Sequence, residues 1–351
     1  MRCRRRFFDS FTVRRLDALA RARRPRRSRA TVPSIHAPPS FPSSDAGAGE
    51  GASHDASRHT ATSTCRCVDA PSTPRARRPE VDAPPNAPRS SASAGQVDPN
   101  ERAKFERDAA LWWNETRGPF AALHAMNPTR VAFVRDAMRE QFKETLGTNA
   151  MRDALRGTRV LDVGCGGGIF AESLARLGAD VTAIDAGLAN IEIARAHAAR
   201  DPGLDGRLRY EHVAAEALGD RGETFDAVTS LEVIEHVSDP MGFAKSLGKL
   251  VRPGGALFLS TINRTARSFA FAIVGAERAL GLVPPGTHSF SKFLTPGEVA
   301  LLASRSGCEM RELAGMVYDP IRNTWALSTD VQINFIAHCV KAKESTKKSK
   351  D

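Results

Sequence analysis

The spacing of apolar positions changes character near residue 98. Up to Asp98, large apolar residues are scattered among Arg, Pro, Ser, Ala and Gly with no sustained period. Such a segment cannot offset its ordering entropy by burial, so residues 1–98 are expected to be a targeting segment and disordered linker. From Pro99 onward the apolar positions become periodic. Residues 104–113 have helical spacing, and a second helix is expected from Asn127-Pro128 to near Leu146, with Val131, Val134, Met138 and Phe142 on one face. These two helices form a cap. Strands then alternate with helices: strands over 159–163, 180–184, 208–213, 225–231 and 256–261, helices over 169–177, 187–199 and 241–250, and a turn at Pro253-Gly254-Gly255. That alternation implies a parallel sheet covered on both faces. Two further strands, over 308–313 and 332–340, complete the expectation, the latter as an antiparallel edge. The fold class is therefore α/β: a doubly wound, mostly parallel, seven-stranded Rossmann-like sheet behind an N-terminal helical cap, spanning residues 99–341. No internal repeat and no 18-residue apolar run occurs, so nothing is expected to span a membrane.

Charge sharpens the boundary. The chain carries a formal +10, which taken alone would suggest a nucleic-acid partner. Residues 1–98, however, hold 18 Arg, no Lys and nine acids, a balance of +9, so the basicity belongs to the tail and no nucleic-acid partner is expected. Within residues 1–30, 12 Arg stand against Asp9 and Asp17, with Phe7, Phe8, Phe11, Val13, Leu16 and Leu19 among them. An Arg-rich, acid-poor amphipathic start has the character of an organelle transit peptide. Residues 342–351 are expected to be a solvated basic tail. The six cysteines show no metal-ligand spacing and fit a reducing compartment.

Two segments carry chemistry. Val160-Leu161-Asp162-Val163-Gly164-Cys165-Gly166-Gly167-Gly168 ends a buried strand and opens a helix, the turn in which backbone can approach a ligand. Dinucleotide enzymes share such a turn, but Asp162 inside it suits an ammonium-bearing ligand better than a pyrophosphate. Asp185 ends the second strand, 21 residues after Gly164, where a carboxylate can accept ribose hydroxyls. Together these resemble the first motifs of class I methyltransferases, which implies S-adenosylmethionine as cofactor. The second segment, Leu231-Glu232-Val233-Ile234-Glu235-His236, leaves the fourth strand at its carboxyl end. On a helix, Glu232, Glu235 and His236 at i, i+3 and i+4 would share one face. Two carboxylates and an imidazole suit a hard divalent ion such as Mg²⁺. Alternatively His236 serves as general base, or the acids only cap the next helix and the ring packs.

A narrower resemblance rests on four segments between Ala103 and Lys341: Trp112-Trp113-Asn114 with Leu123 to Arg130; Leu161 to Glu172; Glu232 to His236; and Ser260-Thr261-Ile262-Asn263-Arg264 followed by Val274-Gly275-Ala276-Glu277. These resemble the ubiquinone-biosynthesis O-methyltransferase family. The resemblance implies methylation of ring hydroxyls on polyprenylated catechol or quinol intermediates. It implies cofactor contacts from Arg130, Gly164, Asp185 and Leu231, beside the turn around Gly166. It also implies a divalent cation held by Glu232, Glu235 and His236. By the same resemblance the protein would sit on the matrix side of the mitochondrial inner membrane, peripherally, within a multiprotein ubiquinone-synthesis complex. Residues 264–290, with Phe269, Phe271, Ile273, Val274, Leu280, Leu282 and Val283 beside Arg264, Arg267 and Arg278, form an amphipathic insertion that fits either the membrane interface or core burial. Rival readings are a methyltransferase for small phenols or quinones, and a noncatalytic cofactor-binding scaffold.

Overall fold

The computed structural model describes residues 98–343 apart from 117, 148–149, 271–288 and 323. The expected transit segment and linker, most of the 264–290 insertion and the basic tail therefore lie outside the described residues. Eight strands form one sheet: β1 (Arg159–Val163), β2 (Asp180–Asp185), β3 (Leu208–His212), β4 (Phe225–Leu231), β5 (Val251–Ile262), β6 (Cys308–Asp319), β7 (Thr324–Ser328) and β8 (Asn334–Lys341), in the order β3-β2-β1-β4-β5-β8-β6-β7. The first five in that order are parallel. β8 runs antiparallel to both β5 and β6, and β7 hangs antiparallel on β6.

The doubly wound α/β class is as expected, with two corrections. Among the described residues the sheet has eight strands rather than seven, the additional one being β7. It is five residues long, and only Trp325 and Leu327 turn inward, pressing on the core cluster. β8 is antiparallel but internal, not an edge. Its run Phe335-Ile336-Ala337 is buried on both faces, the signature of a strand with a neighbour on each side.

The longer helices among the described residues flank the sheet: α1 (Pro99–Arg107), α2 (Ala121–Gln141), α3 (Ile169–Arg176), α4 (Leu188–Ala198), α5 (Ala215–Asp220), α6 (Pro240–Leu250) and α7 (Pro296–Arg305). The strand pleat sorts residues between two cores. Along β5, Ala256 and Phe258 join Met138, Leu174 and Ile191 of α2, α3 and α4, while Leu257 and Leu259 join Leu218, Leu247 and Leu302 of α5, α6 and α7. The turn expected at Pro253-Gly254-Gly255 is a bulge inside β5, since the register steps from Phe225↔Val251 to Ala227↔Ala256.

The cap departs from expectation in a way that matters for the site. α1 starts at Pro99, not at residue 104, because Asp98 accepts from the Asn100 N–H at 2.9 Å and Pro99 occupies the first helical position. α2 starts at Ala121, so Pro128 lies inside it at a local cost of about 3 kcal/mol. Tertiary bonds offset that cost. Asn127 Nδ2 donates to Ser173 Oγ at 2.9 Å and Ile169 O at 3.3 Å, and Thr129 Oγ1 donates to Trp325 O at 2.9 Å. β1 lies between β2 and β4, where the strand order reverses, and the carboxyl ends of these three strands open toward the cap.

Candidate active site

The glycine turn after β1 is held from three sides. The N–H groups of Gly164 and Cys165 donate to Ile184 O at 2.8 and 3.0 Å, tying the turn to β2. Asp185, at the end of β2, accepts from the Gly166 N–H at 2.9 Å, the Gly187 N–H at 2.7 Å and Asn190 Nδ2 at 3.1 Å. Burial nevertheless pushes its carboxyl above the usual range. From the cap, Trp112 Nε1 donates to Asn190 Oδ1 at 2.9 Å and Trp113 Nε1 to Gly167 O at 3.0 Å. A side chain at Gly166 or Gly167 would collide with the Trp112 ring, so the glycines let the indole lie against the backbone. The cavity enclosed by the turn, the cap and the end of β4 measures about 130 Å³. That is below the ~300–1,000 Å³ of typical small-molecule sites, with Glu101, Phe105 and Trp112 of the cap lying close over the strand ends. A larger open cleft of about 630 Å³, between Trp113, Asn114 and His197, includes none of the strand-end residues.

Two buried groups of opposite sign face this cavity with atoms unused. Arg130 is buried, with its guanidinium 5.7 Å from the centre of the Phe170 ring. Nη2 donates to Leu123 O and Asn127 Oδ1, both at 3.3 Å, while Nε has no partner. Burial lowers its pKa, and the Glu232 and Asp162 charges act against that. Asp162 accepts from Thr229 Oγ1 at 2.7 Å through Oδ1, and its buried Oδ2 has no partner. Burial raises it to about 6, against the Thr229 bond and the Arg130 charge. Arg130 Nε and Asp162 Oδ2, buried without a partner on one small cavity, are costly unless a ligand completes them, and an amino-acid zwitterion carries the matching charges.

The end of β4 is bent. Glu232 is the one non-glycine residue with positive φ among those described, at 58°. Such a backbone costs about 1–3 kcal/mol and persists where surroundings over-determine it. Here the Glu232 N–H donates to Ser260 O at 3.1 Å, and its carboxylate accepts from Ser260 Oγ at 2.7 Å. Burial, reinforced by Glu235, pushes Glu232 up to about 7, against the Ser260 bond and the charges of Arg130 and His236. A single 3₁₀ turn over Ile234–His236 follows. His236 lines the cavity, and its Nδ1 lies 3.1 Å from Glu101 Oε2 on α1. Phe105 meets its ring edge-on at 5.1 Å. Burial lowers the His236 pKa, but the Glu101 bond and the neighbouring carboxylates outweigh it, and the net shift is upward.

A methyltransferase-domain family model matches residues 131–313. The chain is 46% identical over 248 residues to the mitochondrial ubiquinone biosynthesis O-methyltransferase of Arabidopsis thaliana, covering 71% of this chain and 76% of that one. It is 47% identical over 242 residues to the ubiquinone biosynthesis O-methyltransferase of Methylocella silvestris, covering 68% and 93%. The chain belongs to the ubiquinone biosynthesis O-methyltransferase family. It is thus an S-adenosylmethionine-dependent O-methyltransferase. The magnesium protoporphyrin IX methyltransferase of Synechocystis, solved with S-adenosylhomocysteine bound, shares the fold at a TM-score of 0.50 and 18% identity, covering 69% of this chain and 98% of that one.

In this methyltransferase the structure brings Arg130, Gly164, Gly166, Asp185, Leu231, Glu232 and His236 around one cavity. Glu235 is not part of that lining; it is buried with Oε2 unpartnered. The single helical face expected for Glu232, Glu235 and His236 does not form, because the left-handed backbone at Glu232 and the tight turn after it splay them. Among the described residues no three His, Cys, Asp or Glu side chains stand together as a metal-ligand set, so the expected triad is not assembled in this arrangement. Glu101 is a residue of this site that the sequence alone does not single out. The run Asp98-Pro99-Asn100-Glu101 is a helix-start signature that would have placed it in a first turn, but nothing local points to His236, 135 residues away.

Proposed function

We propose that the enzyme methylates a ring hydroxyl of a polyprenylated catechol or quinol on the route to ubiquinone, with His236 taking the hydroxyl proton. The observation that carries this reading is the pair of unused buried atoms, Arg130 Nε and Asp162 Oδ2, beside the bent end of β4. Arg130 fits the carboxylate of the cofactor's methionine part and Asp162 its ammonium, while Asp185 fits the ribose hydroxyls beside Gly164 and Gly166. Leu231 supplies apolar wall. S-adenosylmethionine supplies a methyl already activated on a sulfonium. The chain's own contribution is position and proton transfer: the acceptor oxygen is held in line with the methyl, its proton passes to His236 as the new C–O bond forms, and the methyl–sulfur electron pair stays with sulfur. Glu232, held by Ser260, faces the site as a hydrogen-bond acceptor for the neighbouring hydroxyl of the catechol, the one not being methylated.

A divalent cation, expected on the family resemblance, would have to draw Glu232 from Ser260 and bring Glu235 into the cavity. Chelator titration with metal add-back reads whether that rearrangement occurs. The peripheral position on the inner mitochondrial membrane, matrix side, and membership of a quinone-synthesis assembly belong to the same proposal. The organelle named for the Arabidopsis relative supports it, as does Phe269, 43% exposed at the foot of the insertion and packed edge-on against Phe290 at 5.4 Å. The deciding experiment assays prenylated catechol and monophenol acceptors with purified enzyme. Selective methylation of the catechol, abolished in Glu232→Gln with S-adenosylhomocysteine affinity retained, is expected. Equal turnover of a monophenol, or full activity in that variant, would defeat the reading.

A further inference from the structure

The cap does more than cover the cavity. Glu101, in the first turn of α1, is buried and spends both carboxylate oxygens inside the protein: Oε2 lies 3.1 Å from His236 Nδ1, while Oε1 accepts from Lys292 Nζ at 3.2 Å and Lys104 Nζ at 3.3 Å. Lys292 also donates to Asp98 Oδ2 at 3.3 Å, so the start of α1 is pinned to the segment that follows the insertion. Phe105, one turn further along α1, closes the other side of the His236 ring. His236 makes no hydrogen bond through Nε2 among the described residues.

A neutral imidazole carries one proton, and the nitrogen that holds it is set by the partner of the other. A carboxylate can only accept, so Glu101 fixes the proton on Nδ1 and leaves the Nε2 lone pair open. It also fixes the ring plane, together with Phe105. We infer that Glu101 is the positioning residue for His236, so that the base is competent only when α1 is docked on the strand end. This rests on the methyl-transfer reading above and deepens it: the helix that covers the cavity also carries the group that orients its base. The nearest general analogy is the carboxylate that orients the imidazole of hydrolytic triads, where changing acid to amide leaves geometry but loses rate.

The test compares the wild-type full chain with Glu101→Gln, Glu101→Leu and His236→Ala. Three quantities are measured on each: kcat and KM for a prenylated catechol, the S-adenosylhomocysteine dissociation constant by calorimetry, and the ring-nitrogen pattern of His236 by 15N NMR at alkaline pH, where imidazole is neutral. In Glu101→Leu, kcat is expected to fall roughly 100-fold, at the low end of what a positioned base contributes, with KM and the dissociation constant within about twofold. The His236 pattern is expected to shift from the Nδ1–H toward the Nε2–H form. Glu101→Gln keeps the shape but can set its NH₂ against Nδ1, so the Nε2–H form is expected to gain and kcat to fall at least tenfold. If the Leu variant does not fold, the near-isosteric Gln variant carries the test through its kcat. Wild-type kcat or an unchanged nitrogen pattern in Glu101→Leu, with His236→Ala inactive, overturns the positioning role alone. Wild-type turnover in His236→Ala overturns instead the proton-transfer reading on which it stands.

Discussion

Gly164→Ala probes how the cofactor turn and the bent strand end hold each other. Gly164 has φ +74°, and a Cβ there would lie 2.5 Å from Val233 Cγ2 and 3.1 Å from Val233 Cγ1. Two costs follow. An alanine in the left-handed region costs about 1–2 kcal/mol. The collision adds the cost of overpacking, about 1–3 kcal/mol, because Val233 is itself packed against the second core and must move by close to 1 Å. Together they come to about 3 kcal/mol, which for a domain of this size corresponds to a drop in melting temperature of roughly 6–12 °C. The same displacement pulls on Glu232, the residue before Val233, whose backbone is already strained. Differential scanning fluorimetry with and without S-adenosylhomocysteine measures the effect. The double variant Gly164→Ala with Val233→Ala removes the collision and keeps the strain, so it should recover part of the loss beyond what the single changes add to. A single variant melting within about 2 °C of wild type would refute the reasoning, and so would strict additivity in the double variant, because the turn and the strand end would then not be in mechanical contact.

Three further outcomes are expected. Asp185→Asn should cost about 1–3 kcal/mol and weaken S-adenosylhomocysteine binding at least tenfold by calorimetry, because all three partners of Asp185 donate and an amide must set its NH₂ against one of them. Trp112→Ala removes a buried ring stacked on Phe120 at 3.7 Å and should cost about 3–5 kcal/mol by urea unfolding. Asp162 has its folded value at about 6, above the ordinary 3.8, through burial. Its contribution to stability is therefore complete below that ordinary value and is lost as pH rises through about 6. Asp162→Asn should flatten that stretch of the ligand-free melting curve against pH, and an unaltered slope there would argue that the carboxyl is not buried as described.

Most of the sheet was legible because short apolar-rich segments alternate with helical spacing, and the central strands are buried on both faces. Leu161, Val163, Val228 and Leu257 needed no partner to be recognised. β7 was not, since five residues with two inward side chains carry too little period. Pro128 misled for a different reason. A proline is most favourable in a first turn, and only the bonds of Asn127 and Thr129 to distant backbone and side chains explain why α2 continues through it.

The site divides along the same physical line. Gly164, Gly166 and Asp185 stand out as candidates because an amino-acid-like ligand demands small residues at a turn and a carboxylate near it, and both lie within a short stretch of chain, whereas Arg130 is pointed to only by the family resemblance. The acid cluster was legible in composition but not in geometry. Spacing of i, i+3 and i+4 converges only on a helix, whereas Glu232 takes a left-handed backbone and Ser260, on the neighbouring strand, claims its carboxylate. What orients His236 was not legible at all, because Glu101 arrives from a helix 135 residues earlier in the chain. The candidate cofactor-binding groups sit on local backbone at strand ends, whereas the proposed base is oriented by a tertiary contact between α1 and the end of β4, which no reading of neighbouring residues could supply.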